Sequence, residues 1–377
     1  MSEIIICIDP GHGSAEYLGA NYLPFIEKDM TLIVANALKQ HLEKFDNVKV
    51  VMTRESDINV GLRERCDIAK SNNANYFFSI HFNSSANHDL YGSEVWLPVQ
   101  SKYYNVMYPV ANEISNSFQA LGYFQRGIKT RAGSSGKDNY YAVIKHTSDY
   151  GIPACIIEHC HIDNLSDTKY LGADNINSYN MALMNFGIQD AEAIAKALHL
   201  KSTVLGEDYT SYKTANVKKS GLITQDYTAP EKCVVEVVNR NVQNSSITLK
   251  ITAKDSNSWI NYYRYSLDGG LTFSELLTWP KSNVNTSLDS TTVEVIAPNI
   301  SNLNIIVLAY NAYDLYTQSN TVSVSESNLN VNQASIVENL NYGMLTKNNT
   351  VYNIDIFVSG AILIGLLVAI LFKKIKK

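Results

Sequence analysis

The chain has 377 residues, which is long for a single domain, and with 45% hydrophobic and 18% charged residues it has the composition of an ordinary globular protein. Its formal net charge of -5 at pH 7 creates no basic field that would gather a nucleic acid, which argues against phosphate-backbone binding. The five cysteines are scattered and form no C-x-x-C pair, which predicts free core thiols rather than a disulfide framework. These are Cys7, Cys66, Cys155, Cys160 and Cys233.

The first part of the chain, residues 1–205, alternates apolar strand-like runs with segments of helical period. This pattern predicts an α/β domain with a largely parallel sheet covered by helices. Amphipathic helices are predicted over 27–45 and 178–198, because apolar residues recur four apart from Met30 to Leu42 in the first of them. The predicted strands are 4–8, 48–53, 76–81, 93–97 and 154–158.

A second periodicity begins after a polar stretch at 206–230, which is predicted to be a linker. Residues 231–326 contain short alternating segments such as "SITLKITAK" and "TTVEVIAP", separated by Asn, Asp, Ser and Gly. The segment "YRYSLDGGLTF" resembles the aromatic strand and hairpin turn of immunoglobulin-like or fibronectin-like modules. We therefore expect an all-β sandwich here, acting as a spacer rather than as a sugar-binding platform.

The end of the chain predicts a membrane anchor. A second polar linker at 327–353 precedes a predicted transmembrane helix at 354–372, where the apolar run 356–372 is about 17 residues long, the lower limit for crossing a bilayer. The basic tail 373–377 is expected to stay on the cytoplasmic side. This places the α/β domain outside, although no signal peptide precedes the first strand, and a protein held inside until the membrane fails is the alternative.

Three residues with metal or acid–base chemistry follow strands of the predicted sheet. His12 follows the first strand, His81 ends the third, and Glu158 ends the last. Because the carboxyl ends of parallel strands share one edge of a sheet, we expect these side chains to converge. Glu27 begins the first long helix on its inward-facing row, and two histidines with one glutamate form a ligand set that leaves zinc an open position for water.

Each of these residues also has an ordinary structural explanation. His12 alone is compatible with a loop histidine held by the backbone, and Glu27 with a carboxylate at the positive end of a helix. His81 is compatible with a satisfied core histidine, and Glu158 with a salt-bridge partner. Four independent coincidences are improbable together, so the pattern favours a metal site, but spacing alone leaves the metal and the reaction open.

The ordered motifs of the first 200 residues resemble a known family. "IDPGHG", "EKDMTLIVANALKQHLE", "VVMTRESD", "LRERCDIAKSNNANYFFSIHFNS", "GSEVWL" and "PACIIEH" follow in the order and spacing of zinc-dependent N-acetylmuramoyl-L-alanine amidases of the Amidase_3 type. The resemblance implies a mixed sheet flanked by helices, with zinc bound by His12, Glu27 and His81. It also implies that Glu158 is the catalytic glutamate.

One segment departs from the family pattern. The family commonly continues after its glutamate with Gly-Phe and a Ser-Asn pair, whereas this chain has "EHCHIDN", which retains Asn164 but adds His159 and His161. We expect His161 to lie at the surface or behind the ligands rather than to be a fourth ligand. Asp9, Gly11 and Gly13 are expected to turn the backbone so that His12 faces the metal.

The activity implied by the resemblance is hydrolysis of the amide between N-acetylmuramic acid and L-alanine in peptidoglycan. A zinc-activated water would be the nucleophile, and Glu158 would accept its proton and then protonate the leaving nitrogen. A zinc-holding wall-binding protein without catalysis, and a zinc peptidase acting on stem peptides, are the alternatives. The expected cofactor is therefore Zn²⁺ and the expected partners are peptidoglycan and a lipid membrane, with no nucleic acid.

Overall fold

The computed structural model describes residues 3–280, 288–297 and 302–325, together with the backbone of 346–347 and 350–351. The chain divides into two compact units, Met1–Val324 and Ser325–Lys377. In the second unit the described residues form the short antiparallel pair β19 (Thr346–Lys347) and β20 (Thr350–Val351).

The amino-terminal part of the first unit alternates strands and helices, as the sequence predicts. Its strands are β1 Ile4–Pro10, β2 Asn21–Tyr22, β3 Phe25–Ile26, β4 Val48–Met52, β5 Tyr76–Asn83, β6 Ser93–Leu97, β7 Gln125–Thr130, β8 Ala154–His161, β9 Lys201–Ser202 and β10 Glu207–Asp208. Its helices are α1 Glu27–Leu42, α2 Leu62–Ser71, α3 Ser101–Ala120, α4 Ala142–Asp149, α5 Leu165–Thr168 and α6 Ile176–Ala197.

Six of these strands form one mixed sheet in the order β4-β1-β5-β8-β6-β7. All neighbours are parallel except β6 and β8, which pair antiparallel. The five predicted strands are all present, but β1, β5 and β8 run two or three residues beyond their predicted ends. The sixth, β7, was not predicted because its sequence QRGIKT has no run of apolar residues.

The helices cover the sheet with the apolar face that their period predicts. In α1 the residues Met30, Val34, Leu38 and Leu42 are all fully buried, and they share one core with Phe186 of α6. Each such side chain contributes about 1.5–3 kcal/mol by leaving water. The central strands are covered on both sides, so the edge at their carboxyl ends is the part of the sheet that remains open for a site.

The second part of this unit is all β. Its strands are β11 Lys232–Asn241, β12 Ser246–Lys254, β13 Ile260–Ser266, β14 Leu277–Thr278, β15 Asp289–Ile296, β16 Asn302–Asn311, β17 Tyr316–Gln318 and β18 Val322–Ser325. They form one sheet of β11-β12-β15 and another of β14-β13-β16-β17, with β18 also on β16. Leu249 and Ile251 of the first sheet and Ile305 and Val307 of the second belong to one apolar core, so the two sheets enclose it.

The predicted linker 206–230 is hydrogen-bonded to the α/β part over its second half. Ser101 N donates to Gly221 O at 3.1 Å, and Ile223 N donates to Val99 O at 2.7 Å. Ala132 N donates to the Gln225 side chain at 2.6 Å. The predicted domain boundaries stay a prediction, but this connector is an ordered layer on the α/β part.

The predicted transmembrane helix at 354–372 and the basic tail lie outside the described residues. Within the described part of the chain, no helix combines the length and the apolar character needed to cross a membrane.

Candidate active site

The structure brings the three predicted ligands together at the open edge of the sheet. His12, Glu27 and His81 each offer one ligand atom, and these atoms lie within 4.8 Å of one another. The Glu27 carboxylate lies between the two rings, with Oε2 at 3.1 Å from His12 Nε2 and Oε1 at 2.9 Å from His81 Nδ1. The Glu27 side chain is 4% exposed while those of His12 and His81 are 31% and 20% exposed, so both rings can be reached from solvent.

His12 is held by the backbone that follows β1. Its φ of 61° lies in the left-handed region, which a non-glycine residue adopts only when its surroundings hold it there. Arg65 Nη2 donates to His12 O at 2.7 Å, and Arg54 Nε and Nη2 donate to the carbonyls of Pro10 and Gly11 at 2.9 Å. The two buried arginines therefore set the direction of the turn and so of the His12 ring.

Two glycines allow the ligands to approach the backbone closely. A Cβ on Gly11 would lie 2.4 Å from Cε1 of His81, and a Cβ on Gly19 would lie 2.3 Å from Oε2 of Glu27. Either side chain would occupy the space in which the rings and the carboxylate meet. The loops around the three ligands are thus shaped to leave room for the polar atoms at the centre.

Glu27 is ionised despite its burial. Burial raises its pKa, but the hydrogen bonds and charges of His12 and His81 outweigh that effect and lower the pKa to about 2. The backbone N–H groups of Ala20 and Phe82 add one bond each, to Oε2 at 2.6 Å and to Oε1 at 3.0 Å. The carboxylate is therefore fixed at both oxygens by groups outside the cluster.

A hydrogen-bond chain determines which nitrogen of His81 carries a hydrogen. Ser79 Oγ donates to Asp9 Oδ2 at 2.7 Å, so the same oxygen accepts from His81 Nε2 at 3.1 Å. Asp9 is an ionised acceptor, because Arg65 and the Thr53 and Ser79 hydroxyls outweigh its burial and lower its pKa. In that tautomer Nδ1 presents its lone pair to Glu27 Oε1 at 2.9 Å, an arrangement that a shared metal ion would satisfy. The donor set therefore fits a metal ion.

Glu158 faces the same space from β8. It lies opposite His81 in the β5–β8 register and opposite Glu94 in the β6–β8 register. Its side chain is half-buried, and its Oε2 atom is buried without a hydrogen-bond partner among the described residues. Burial, followed by the charges of Glu27 and Glu94, raises the pKa of Glu158 well above the ordinary range of a carboxyl.

The four side chains line one cavity of about 680 Å³, which we call the ligand cavity. Its other walls come from the loop before α2 and from the start of α4, and they are mainly apolar. Such a cavity, with a few convergent polar groups at its base, is the usual form of an active site.

The chain matches the family model described as N-acetylmuramoyl-L-alanine amidase, Amidase_3, over residues 6–189. This range contains all four side chains of the ligand cavity that are described above. Residues 6–189 belong to the Amidase_3 family.

Several amidases have sequences similar to that of this chain over part of their length. A probable N-acetylmuramoyl-L-alanine amidase AmiB of Haemophilus influenzae is 42% identical over 98 residues, which are 26% of this chain and 22% of that protein. The amidase CwlM of Bacillus licheniformis is 33% identical over 170 residues, which are 44% of this chain and 60% of that protein. The chain thus spans less than two thirds of both.

Among solved structures, Cwp6 from Clostridium difficile is similar, with 29% sequence identity and a TM-score of 0.47. The similarity covers 52% of this chain and 30% of that one.

The segment that departs from the Amidase_3 pattern contains a bulge. His81 and Asn83 of β5 face Glu158 and His161 of β8, so β8 has one extra residue between these pairs. Without the bulge, Glu158 and His161 would point to opposite faces of the sheet, whereas here both line a second cavity. His161 is 1% exposed, so it does not lie at the surface, and its Nδ1 contacts Gly92 O at 3.0 Å rather than the ligand cluster.

His159 points to the other face and acts on the site through the backbone. Its Nδ1 donates to the His81 carbonyl at 2.9 Å, and its Nε2 lies 2.8 Å from Oδ2 of Asp190. His159 and Asp190 are both completely buried, and the imidazole packs among aromatic rings. These rings are Phe82, Phe118 and Phe186. The pair therefore holds the backbone of β5 at His81, two residues before the strand ends.

Several residues around the site were not predicted to have a role. Ser79 stands two residues before His81 on the same face of a strand, and that spacing is the signal from which it can be found. Arg54 and Arg65 lie in the motifs that carry the family resemblance, but their role depends on carbonyls some 50 residues away along the chain. Asn164 caps the short helix α5 by accepting from Ser166 N and does not line the ligand cavity.

Proposed function

We propose that the protein is an N-acetylmuramoyl-L-alanine amidase, which hydrolyses the amide between the lactyl group of N-acetylmuramic acid and the L-alanine of the stem peptide. The observation that carries this proposal is the ligand cavity itself. In it a His-Glu-His cluster that fits a metal faces a Glu158 oxygen that has no hydrogen-bond partner among the described residues. The membership of residues 6–189 in the Amidase_3 family supports the choice of substrate.

The metal that suits this cluster is Zn²⁺. Two imidazole nitrogens and one carboxylate oxygen, from His12, His81 and Glu27, are a donor set typical of catalytic zinc sites, which keep one position open. When bound, zinc supplies a water of pKa near 7 and polarises the scissile carbonyl. Asp9 and Ser79 keep the His81 ring in the tautomer that such binding needs.

Glu158 is the residue that moves the proton in this proposal. Its carboxyl accepts the proton of the attacking water and delivers it to the L-alanine nitrogen as the amide breaks, so no covalent intermediate with the protein is needed. Burial raises the pKa of Glu158, which is the direction needed by a group that must hold a proton between these two steps. The presence of this base also favours catalysis over a wall-binding protein that only holds a metal.

The product of the reaction tests the proposal. The full chain, loaded with zinc and incubated with purified peptidoglycan, is expected to release peptides with a free N-terminal L-alanine and to leave the glycan intact, as measured by mass spectrometry. The Glu158→Gln variant serves as the control for contaminating activity. Release of peptides without L-alanine at the amino terminus would show a stem-peptide peptidase instead and would contradict the proposal.

We further propose that the β part is an immunoglobulin-like module and that 354–372 anchors the protein in the membrane with the α/β part facing the wall. The uncharged run 356–372 and the lysines that follow it support this topology. Protease added to intact protoplasts is expected to remove the α/β part and to leave a short membrane-bound fragment. Complete protection of the α/β part would contradict it and favour an enzyme held inside until lysis.

A further inference from the structure

The β part of the first unit is joined to the α/β part through buried charges. Arg126 of β7 donates from Nε to Glu94 Oε2 at 2.8 Å and from Nη2 to Asp314 Oδ2 at 2.7 Å. Lys129 Nζ donates to the same Glu94 oxygen at 2.6 Å. Arg126, Lys129 and Glu94 are each at most 3% exposed.

Uncharged side chains of β13 complete this junction. Asn261 Nδ2 donates to the Arg126 carbonyl at 3.0 Å, and the Tyr262 hydroxyl donates to the Tyr91 carbonyl. Both side chains are completely buried. If the β part and the α/β part separated, each of these buried polar groups would lose its partner, which costs free energy. The β part is therefore not a freely moving spacer but a fixed wall beside the α/β part.

A second cavity, of about 600 Å³, lies at this junction, and we call it the junction cavity. The α/β part, the connector and the β part each supply some of its lining. It shares Asn83, Ser84, Tyr141 and Glu158 with the ligand cavity. The two cavities therefore meet at the carboxyl that the proposed reaction uses.

The charged side chains in the junction cavity mostly have ion-pair or hydrogen-bond partners within the protein. Arg126 and Lys129 are paired as described above, and Asp226 accepts from the Thr228 backbone and hydroxyl, the Ser258 hydroxyl and the Asn311 amide. Arg131 differs from them. It is exposed, and among the described residues no carboxylate lies within salt-bridge distance of it.

The Arg131 guanidinium is nonetheless held in place. It lies 3.7 Å from the centroid of the Tyr140 ring, a stacking contact that does not consume its hydrogen-bond donors. It lines the junction cavity beside Tyr141, which is one of the groups shared by the two cavities. A positioned arginine with free donors is suited to bind a carboxylate through two parallel hydrogen bonds.

We propose that the junction cavity binds the peptide arm of the substrate and that Arg131 pairs with a carboxylate of that peptide. This inference rests on the proposed function, in which the scissile amide lies between the metal cluster and Glu158. The lactyl carboxyl is consumed in that amide, so the ionised groups of the substrate lie on its peptide side. The β part thus helps to select the substrate, and the spacer role expected from the sequence is replaced by that of a wall of the binding cleft.

A binding experiment tests this assignment without relying on turnover. The full chain carrying Glu158→Gln is titrated by calorimetry with two soluble muramoyl peptides, one with free peptide carboxylates and one with those carboxylates converted to amides. Adding Arg131→Gln is expected to weaken binding of the free-carboxylate fragment by about tenfold and to leave binding of the amidated fragment unchanged. Arg240→Gln, on β11 and outside both cavities, is the matched control and is expected to change neither affinity.

Two outcomes would overturn the inference: no loss of affinity with Arg131→Gln, or an equal loss for both fragments. The proposed function is judged separately, from the peptidoglycan products of the wild-type chain. Normal release of L-alanine peptides together with unchanged fragment binding by Arg131→Gln would reject the inference alone. Weakened, carboxylate-dependent binding without release of those peptides would reject the proposed function alone.

Discussion

Two clusters of ionisable side chains differ in how their charges are paired. The ligand cluster consists of His12, Glu27, His81 and Glu158, and the junction cluster consists of Glu94, Arg126, Lys129 and Asp314. At the junction, Glu94 and Asp314 oppose Arg126 and Lys129, so the charges balance. In the ligand cluster an ionised Glu27 faces two imidazoles, and within the described part of the chain one oxygen of Glu158 has no hydrogen-bond partner. The comparison teaches that a balanced cluster holds two parts of a fold together, whereas an incomplete one is prepared for a ligand.

The largest effect is expected from removing a proposed metal ligand. His12→Ala, Glu27→Ala or His81→Ala should abolish both zinc binding and amidase activity, because two remaining ligands are too few to hold the ion. Metal content of the purified chains, measured by atomic emission beside the wild type, is the readout. His88→Ala is the matched control, since His88 pairs with Asp163 outside the cluster. Full zinc content in all three ligand variants would show that the site has been misassigned.

The junction cluster is expected to affect stability rather than metal content. Arg126→Met removes the shared partner of Glu94 and Asp314 but leaves Lys129 on Glu94, so the expected loss of unfolding free energy is about 3 kcal/mol, the lower end of the range for breaking a buried ion pair. Urea unfolding measures the loss. Lys250→Met, which breaks the exposed pair with Glu236, should cost under about 1 kcal/mol. Similar small losses in both variants would mean that the junction contributes little to stability.

The same cluster should make the protein sensitive to acid. Burial raises the pKa of Glu94, but Lys129 and Arg126 outweigh it and hold that pKa well below the ordinary value of 4.5. A depressed carboxyl pKa contributes stability that is present above 4.5 and is lost as the pH falls from there toward the pKa of the folded state. Glu94→Gln should therefore unfold more easily at pH 7 and lose less stability between pH 5 and about pH 3 than the wild type. Parallel losses in the two proteins would contradict this assignment.

Replacing the proposed base separates chemistry from metal binding. Glu158→Gln should keep the zinc content and the fold while the rate of peptidoglycan hydrolysis falls by about 100-fold or more, the range expected for a lost general base. The rate constant and the metal content are measured on the same preparation. A normal rate would remove Glu158 from the mechanism.

The smallest effect is expected from replacing His159 and Asp190, which support the backbone of the proposed ligand His81. The double variant His159→Phe with Asp190→Leu removes the bond to the His81 carbonyl without leaving a buried charge, and should weaken zinc binding by about tenfold. Competition with a chelator measures it. Asp190→Asn is the control, since an amide can donate to Nε2 of a neutral His159 and keep the ring in place. Unchanged zinc affinity in the double variant would show that the His81 backbone needs no such support.

Much of the α/β part was predictable because its signals are local. Five strands and two long helices follow from apolar period, and the convergence of His12, Glu27 and His81 follows from their positions at strand ends and at a helix start. The metal and catalytic roles of these residues stay proposals. The family resemblance added an expected substrate, which the spacing of apolar residues alone does not indicate.

The remaining features depend on partners that are distant in the sequence. Strand β7 was missed because its Arg126 and Lys129 are buried only through contacts with Glu94 and the β part. The bulge that turns His161 to the face of Glu158 is a property of pairing with β5, not of the segment itself. The sequence by itself therefore determined five strands and two long helices of the α/β part and the residues that meet at the site. Only the tertiary structure decided how those residues are oriented and that the β part forms a wall of the junction cavity. The reason is that a buried charge or hydrogen bond depends on partners that are distant in the sequence and become neighbours only in the folded chain.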